Sequence, residues 1–238
     1  MVDNESIAEA KAILNRAETI TVITGAGIST DSGIPDFRGP NGIWTLDPDA
    51  EKITDIDHYR SSPRIRQKTW DGYVKTDWSR YKPNPGHLAI KNLFDQEKLL
   101  VCITQNIDGL HHKSGISPER VIELHGNLRE LRCLDCGNNT AVVDCMDCPE
   151  CDGLMKPNVV MFGEQLNHSD YHRAEMASIS CDAMLVVGTT LLVWPTADLP
   201  RYAMRGDIPV IYVNGSDPPF EGMTKLIGSI SEVLPRIV

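Results

Sequence analysis

Thr21-Val-Ile-Thr-Gly-Ala-Gly-Ile-Ser-Thr-Asp-Ser-Gly-Ile-Pro-Asp-Phe-Arg-Gly39 decides how the rest of this chain is read. Its β-branched opening, Ile20 to Ile23, suits a buried strand, and the run stops at Gly25-Ala26-Gly27. Two glycines two apart at a strand end let the backbone turn sharply and lie close to a ligand. A helix starting near Ser29 would turn its free N–H groups toward a pyrophosphate. Thr30 stands where the dinucleotide fingerprint has its third glycine, so Gly-x-Gly alone equally suits a plain turn. Gly33-Ile-Pro-Asp-Phe-Arg-Gly39 then sets an acid, a ring and a guanidinium side by side between backbone breakers, a set that a solvated turn does not need.

Outward from this stretch the chain alternates. Residues 5–17 carry an amphipathic helical pattern. Gly39 to Asp57, rich in Pro, Gly and Asp and anchored by Trp44 and Leu46, reads as a long loop that orders on binding. Residues 63–78 read as a helix burying Ile65, Trp70 and Tyr73, and Asn84-Pro-Gly-His87 introduces another. Buried strands are expected at Leu99–Thr104, with Cys102 as a small core residue, at Val121–Leu124, Val159–Phe162, Ala183–Val187 and Pro209–Val213. A helix is expected over roughly 168–180 and a closing helix from Met223 to Val238. Strands alternating with helices, with polar or glycine turns at the strand ends, point to an α/β fold with a parallel sheet of the dinucleotide-binding type.

Length and composition bound the rest. The chain has 238 residues, 41% hydrophobic, enough for a sizeable core in one large domain or a large plus a small one. Its net charge of −10 disfavours nonspecific nucleic-acid binding and tolerates a cationic, lysine-bearing partner. The acidic N-terminus does not resemble a signal peptide, and no apolar run approaches the ~20 residues of a membrane span, so a cytoplasmic protein is expected. Five of the seven cysteines crowd into Cys133–Cys151, which interrupts the alternation and points to a metal in a reducing compartment. Cys133-x-x-Cys136 and Cys148-x-x-Cys151 supply four thiolates at structural-zinc spacing, and Cys145-x-x-Cys148 has the same spacing.

Two further clusters carry chemistry. Thr104-Gln-Asn-Ile-Asp-Gly-Leu-His111 follows a buried strand and offers amides and a carboxylate suited to sugar hydroxyls or a carboxamide, or to an Asx-rich helix cap. His125, before Gly126 at another strand end, suits a general base near neutrality, with His111 and His112 as competitors.

Together these motifs resemble the sirtuins, NAD-dependent protein lysine deacylases, from about Thr21 to Pro235. Lys156-Pro-Asn-Val-Val160, Phe162-Gly-Glu164, Gly188-Thr-Thr190 and Val213-Asn214 add to the resemblance. It implies a Rossmann-like parallel sheet with helices on both faces, formed by residues 1–128 and 156–238, with a small zinc module inserted at 129–155. Because the family runs from its last cysteine into a Pro-x-Val-Val-x-Phe-Gly-Glu stretch, which Pro157 to Glu164 keeps, Cys148 and Cys151 are the implied second pair of ligands for one structural zinc.

NAD, consumed as a co-substrate, is implied to lie against Gly25, Ala26, Gly27 and Ser29 at its pyrophosphate, with Asp36 and Arg38 nearby and Phe37 shielding the reacting ribose. Gln105, Asn106, Ile107 and Asp108 are implied around nicotinamide. Gly188, Thr189 and Thr190, with Asn214, Gly215 and Ser216, are implied at the adenosine half, and Ile230 near the adenine. His125 is the implied general base. Val159, Val160, Phe162, Gly163 and Glu164 on one side, and Leu192 to Trp194 around Val193 on the other, are implied to flank an acyl-lysine peptide by strand addition.

The implied reaction expels nicotinamide by attack of the acyl-amide oxygen and ends in free lysine and O-acyl-ADP-ribose. Mono-ADP-ribosyl transfer to a protein is the alternative use of the same NAD site. Ile65-Arg-Gln-Lys-Thr-Trp70 resembles the class II branch, which includes bacterial and mitochondrial members. Where the branch that removes acidic acyl groups carries a Tyr-x-x-Arg pair, gap-free alignment puts Trp70, Asp71 and Gly72, so no cation is expected for a succinyl carboxylate. An NAD-dependent dehydrogenase fits poorly, since the region where its ribose-binding acid should end a second strand is the loop around Trp44 to Asp49.

Overall fold

The computed structural model describes residues 2–39, 41–47 and 49–238. In chain order the elements are α1 (Asn4–Arg16), β1 (Ile20–Thr24), α2 (Ile43–Leu46), α3 (Ile56–Ser61), α4 (Pro63–Tyr73), α5 (Pro85–Asp95), β2 (Leu99–Thr104) and α6 (Leu110–Lys113). They continue as β3 (Val121–Glu123), β4 (Gly126–Cys133), β5 (Asn139–Ala141), β6 (Met155–Val159), α7 (His168–Ser180), β7 (Ala183–Val187), α8 (Leu199–Arg205), β8 (Val210–Asn214), β9 (Thr224–Ile227) and α9 (Ile230–Ile237).

Six strands form one parallel sheet in the order β3-β2-β1-β7-β8-β9. Every residue of β1, β7 and β8 is buried, as expected of parallel strands covered on both faces. One face packs Val22, Cys102, Leu185 and Ile211 against α1, α5 and α9. The other packs Ile23, Ile103, Val186 and Tyr212 against α7 and α8. The chain winds outward from β1 through β2 to β3, then returns to add β7 on the opposite side of β1. The strand order therefore reverses between β1 and β7, and in open α/β sheets ligands bind outside the carboxyl ends at that switch point.

The second sheet is small and antiparallel, in the order β5-β4-β6. It corrects one sequence expectation. The strand expected at Val159–Phe162 does not rejoin the parallel sheet; β6 ends at Val159 and pairs with β4. Pro157 is tolerated because β6 is an edge strand, with one side free of ladder bonds. Helices α3 and α4 pack onto this sheet: the Tyr59 hydroxyl donates to the Met155 carbonyl at 2.7 Å, and the buried Trp70 indole N–H donates to Asp144 at 2.8 Å. Two separated chain segments thus build the small lobe.

Three other expectations change. The loop expected from Gly39 to Asp57 contains α2, a short 3-10 turn at Lys52–Thr54 and the start of α3; Pro40 and Pro48 lie outside the described residues. The helix expected over 63–78 stops at Tyr73. The tail from Met223 is not one helix: Thr224–Ile227 forms β9 at the sheet edge before α9. No described helix is long and apolar enough to cross a membrane.

Candidate active site

The turn after β1 is a 3-10 segment, Ala26–Ser32, fixed from three directions. From β7, the Gly188 carbonyl accepts the Gly27 N–H at 2.8 Å. Gly188 has φ +64°, and a Cβ there would come within 2.3 Å of the Ile28 nitrogen, so only glycine fits. Gly25 and Gly27 face this same contact, since a Cβ on either would strike Gly188 or Thr189 below 3.0 Å. Their glycine requirement is therefore met by loop-to-loop packing at the switch point.

From below, the Asn84 side-chain amide donates to the Ile28 carbonyl at 2.7 Å and to Ser32 Oγ at 3.0 Å, while its oxygen caps α5. Sequence reasoning saw Asn84 only as a helix start; nothing in its pattern announces a second bond across 56 residues.

From the β2 side comes the Gln105–Asp108 segment. The Asn106 amide donates to the Gly25 carbonyl and to Ser29 Oγ, both at 3.1 Å, and the Ser29 hydroxyl donates to Asp108 Oδ2 at 2.7 Å. Asp108 Oδ1 accepts the Leu110 N–H at 2.9 Å. Burial pushes the Asp108 carboxyl above its ordinary range, against the hydrogen bonds that favour its ionised form. The Gln105 amide reaches Thr189 Oγ1 at 3.0 Å, tying the β2 end to the β7 end.

His125 lies just past β3 and is half-buried. Its Nδ1 is 3.1 Å from the Gln105 carbonyl oxygen. A carbonyl only accepts, so Nδ1 carries the proton and Nε2 keeps a free lone pair. Burial lowers the imidazole pKa below its usual value, which favours that neutral form. Gly126, at φ +79°, lets β4 begin at once; a Cβ there would meet the Asn158 carbonyl at 2.1 Å. The two competing histidines are engaged elsewhere. His111 is buried with Nε2 at 2.9 Å from Thr24 Oγ1, and His112 pairs with Glu123 at 3.2 Å.

Beyond the turn, the Asp36 carboxylate accepts the Gly39 N–H at 3.0 Å, and the N–H groups of Ile43 and Trp44 return to the Asp36 and Phe37 carbonyls. Phe37, Trp44 and Phe162 pack in sequence as tilted rings with centroids 5.1 and 5.6 Å apart, with the Arg38 guanidinium 4.4 Å over Trp44. Asp36 thus closes its own turn, and Trp44, expected only as an apolar anchor, joins the first segment to the Phe162 segment.

At the ends of β7 and β8, Asn214 Nδ2 reaches the Tyr212 hydroxyl at 2.6 Å, and that hydroxyl donates to the Thr189 carbonyl at 3.0 Å. Thr190, Gly215 and Ser216 are exposed, whereas Ile230 is buried in the core beside Ile28.

The segment after β6 meets the site at His125, whose carbonyl accepts the Val160 N–H at 2.8 Å. Phe162 uses both its main-chain groups on Thr54 and Ile56 while its partly exposed ring packs on Trp44, and its neighbour Gly163 is also exposed. In the segment after β7, Leu192 and Trp194 are exposed, with Val193 half-buried between them. Glu164 turns inward to Lys156 and the Met161 N–H.

The alignment on α4 singles out Trp70, Asp71 and Gly72. Trp70 points into the small lobe, Asp71 pairs outward with Lys75 at 3.0 Å, and Gly72 has nothing near it. The α4 residue that packs in the cluster with Ile107, Val159 and Met161 is Tyr73. The cations of α4 are held elsewhere: Arg64 by Asp49, Lys68 by Asp47, and Arg66 by the Tyr59 and Arg60 carbonyls.

In the small lobe the sulfurs of Cys133, Cys136, Cys148 and Cys151 all lie within 4.8 Å of one another. Cys133–Cys151 and Cys136–Cys148 are 3.6 and 3.7 Å apart, against about 3.8 Å between sulfurs on a tetrahedral zinc. Backbone N–H groups, that of Cys136 foremost, lower the Cys133 thiol to about 6, toward the thiolate a metal takes. Four sulfurs would fill the coordination shell, which suits a structural ion. Cys145 is exposed and outside the cluster, its sulfur facing the Asp147 carbonyl.

Known proteins resemble this chain in sequence and in fold. NAD-dependent protein deacetylase 2 of Streptomyces coelicolor is 36% identical over 231 residues, covering 92% of this chain and 96% of that one. NAD-dependent protein deacylase 2 of Archaeoglobus fulgidus is 37% identical over 249 residues, covering 98% and 95%. A solved structure of Sir2 with a p53 peptide and NAD+ superposes with a TM-score of 0.85 at 33% identity, covering 97% of this chain and 96% of that one. The sequence model of the Sir2 family matches residues 25–195. A match of that extent, taking in the glycine turn, His125 and the cysteine cluster, makes the chain a member of the Sir2, or sirtuin, family.

Proposed function

We infer that the protein is an NAD-dependent protein lysine deacylase of deacetylase type, which moves the acyl group from lysine to ADP-ribose and releases nicotinamide. The observation that carries this reading is the His125 tautomer. A neutral imidazole held through Nδ1 by the Gln105 carbonyl hangs on the same strand end as Asn106 and Asp108. A base and a carboxamide-binding acid on one short segment suit a reaction in which nicotinamide leaves and a ribose hydroxyl then loses a proton.

The roles follow from that order of events. Asp108, already carrying the Ser29 hydroxyl, accepts from the nicotinamide carboxamide, with Asn106 and Ile107 beside it. Ala26, Gly27 and Ser29 line the pyrophosphate, with Gly25 and Arg38 close by. Gly188, Thr189 and Asn214 to Ser216 hold the adenosine half, with Ile230 as an apolar floor. Phe37 covers the ribose face left open by nicotinamide, supported by Trp44. His125 Nε2 takes the ribose hydroxyl proton, and the hydroxyl attacks the carbon of the acyl amide. Water then releases lysine and O-acyl-ADP-ribose. The acyl-lysine peptide lies between Val160–Gly163 and the exposed Leu192–Trp194 wall, and the zinc holds the small lobe without touching substrate. The acyl chain enters the apolar cluster of Ile107, Tyr73, Val159 and Met161, which favours neutral acyl groups. Seven free cysteines suit a reducing, cytoplasmic setting.

Nicotinamide release measured with and without an acetyl-lysine peptide tests the reading. Deacylation predicts release that depends on the peptide and deacetylates it. Release that leaves the peptide acetylated while ADP-ribose appears on a protein would replace it with ADP-ribosyl transfer.

A further inference from the structure

Lys156 is a buried cation that the reaction does not use. It is 2% exposed, and its ammonium meets Glu164 Oε2 at 3.0 Å, the Val159 carbonyl at 2.5 Å and the Pro157 carbonyl at 3.3 Å. Three partners satisfy its three protons. Glu164 Oε2 also accepts the Met161 N–H at 2.9 Å, and the Glu164 N–H donates to the Met161 carbonyl at 3.0 Å. The pair therefore spans residues 156–164 from the inside.

That span is where three parts of the molecule meet. Lys156 lies on β6 opposite Arg132 of the small sheet. Val160 bonds to His125, and Phe162 bonds to Thr54 and Ile56. Gly163, at φ +87°, presses so close to Ile56 that a Cβ would lie 2.9 Å from its Cγ2. Among the described residues, the Val160 carbonyl and the Gly163 main-chain groups make no hydrogen bond, so this stretch keeps a partly open edge. Lys156 is buried and Glu164 half-buried, and such a pair contributes little net stability because desolvation offsets the attraction; what it supplies is a fixed geometry.

We propose that the Lys156–Glu164 ion pair is the positioning device of the acyl-peptide groove: it fixes the turn over Met161–Glu164 and so sets Val160–Gly163, with its open edge, relative to His125. Glu164 is thereby a positioning residue acting through the main chain of this segment. The proposal rests on the deacylase reading, and wild-type turnover of an acetyl-lysine peptide with NAD tests that reading separately.

The pair itself is tested by comparing Lys156→Met, Glu164→Gln and the double variant with wild type. Glu164→Gln leaves the buried Lys156, and Lys156→Met the half-buried Glu164, without its partner, and each is expected to lose thermal stability. If a single variant does not fold, the double variant carries the test, since its groups are both neutral and close in volume. The double variant is expected to regain wild-type thermal stability while its KM for the acetyl-peptide stays about tenfold high, with KM for NAD unchanged. A merely structural pair would not separate the two. Recovery of peptide KM together with stability, or an equal rise in both KM values, would overturn the proposal.

Discussion

The two lobes of this protein are held together by different means. In the large lobe, β1, β7 and β8 are buried on both faces, and the site loops at their ends are locked to one another by Gly188, Asn84 and Asn106. Hydrophobic burial accounts for such a lobe, with each buried Ile, Leu or Val worth about 1.5–3 kcal/mol. In the small lobe, the core beneath the cysteine cluster is Trp70, Leu131, Cys133, Cys148 and Met155, so two of its members belong to the sulfur cluster that could hold a metal. A core that small would gain much of its stability from a metal bound by those sulfurs. The site sits between them: His125 is one residue from β4 of the small sheet and two from β3 of the large one. On the deacylase reading, the chemistry is assigned to the large lobe and the placement of substrate to both.

The most severe way to break this asymmetry is to remove the metal. Chelation, or Cys133→Ala or Cys151→Ala, should unfold the small lobe and abolish deacylation, while β1 and its neighbours stay folded. Zinc content and hydrogen exchange measured together check this. Retained activity in a zinc-free protein would show that the small core stands unaided.

Next in size is the loss of the base. His125→Ala should lower deacylation by about 10²–10⁴-fold, with His111→Ala and His112→Ala losing less. For wild type, the neutral imidazole is the active form and burial favours it. The acid limb of kcat/KM should therefore fall at a pH below the ordinary histidine value of about 6.5. A limb above that value would mean that His125 is stabilised in its charged form.

A smaller effect concerns the joint between the lobes. With the cations of α4 tied to Asp47, Asp49 and main-chain carbonyls, a succinyl carboxylate finds no partner beside Tyr73. Acetyl and longer neutral acyl peptides should be turned over about tenfold or more faster than a succinyl version. Faster succinyl turnover would mean that one of those cations is released when substrate binds. The mildest change is Cys145→Ser, which lies outside the sulfur cluster and should alter zinc content, melting temperature and turnover little.

The same contrast governs how much was legible in the sequence. The large lobe announces itself because each strand of a parallel sheet is a continuous apolar run ended by a turn, as at Ile20–Gly25 and Ala183–Gly188. The four cysteines announce themselves by spacing. What escaped depends on contacts distant in sequence. Helix α2 has four residues and is held in place by main-chain bonds from Ile43 and Trp44 back to Asp36 and Phe37, which no periodicity records. Strand β6 carries Pro157, an argument against a strand until its edge position is known. Thr224–Ile227 is too short to stand out from the helical tail behind it. Trp70 was legible as buried, but its direction, into the small lobe, followed only from where α4 ends. The Lys156–Glu164 pair closes across a bend, beyond the reach of any helix or strand period.

The division of labour is tested most directly by accounting for products in a single turnover of wild-type protein with NAD and an acetyl-lysine peptide. A His125 that acts on the ribose hydroxyl after nicotinamide has left predicts equal amounts of nicotinamide, unmodified lysine peptide and O-acetyl-ADP-ribose. Nicotinamide accompanied by free acetate and ADP-ribose, or by an acetylated peptide and an ADP-ribosylated protein, would contradict it.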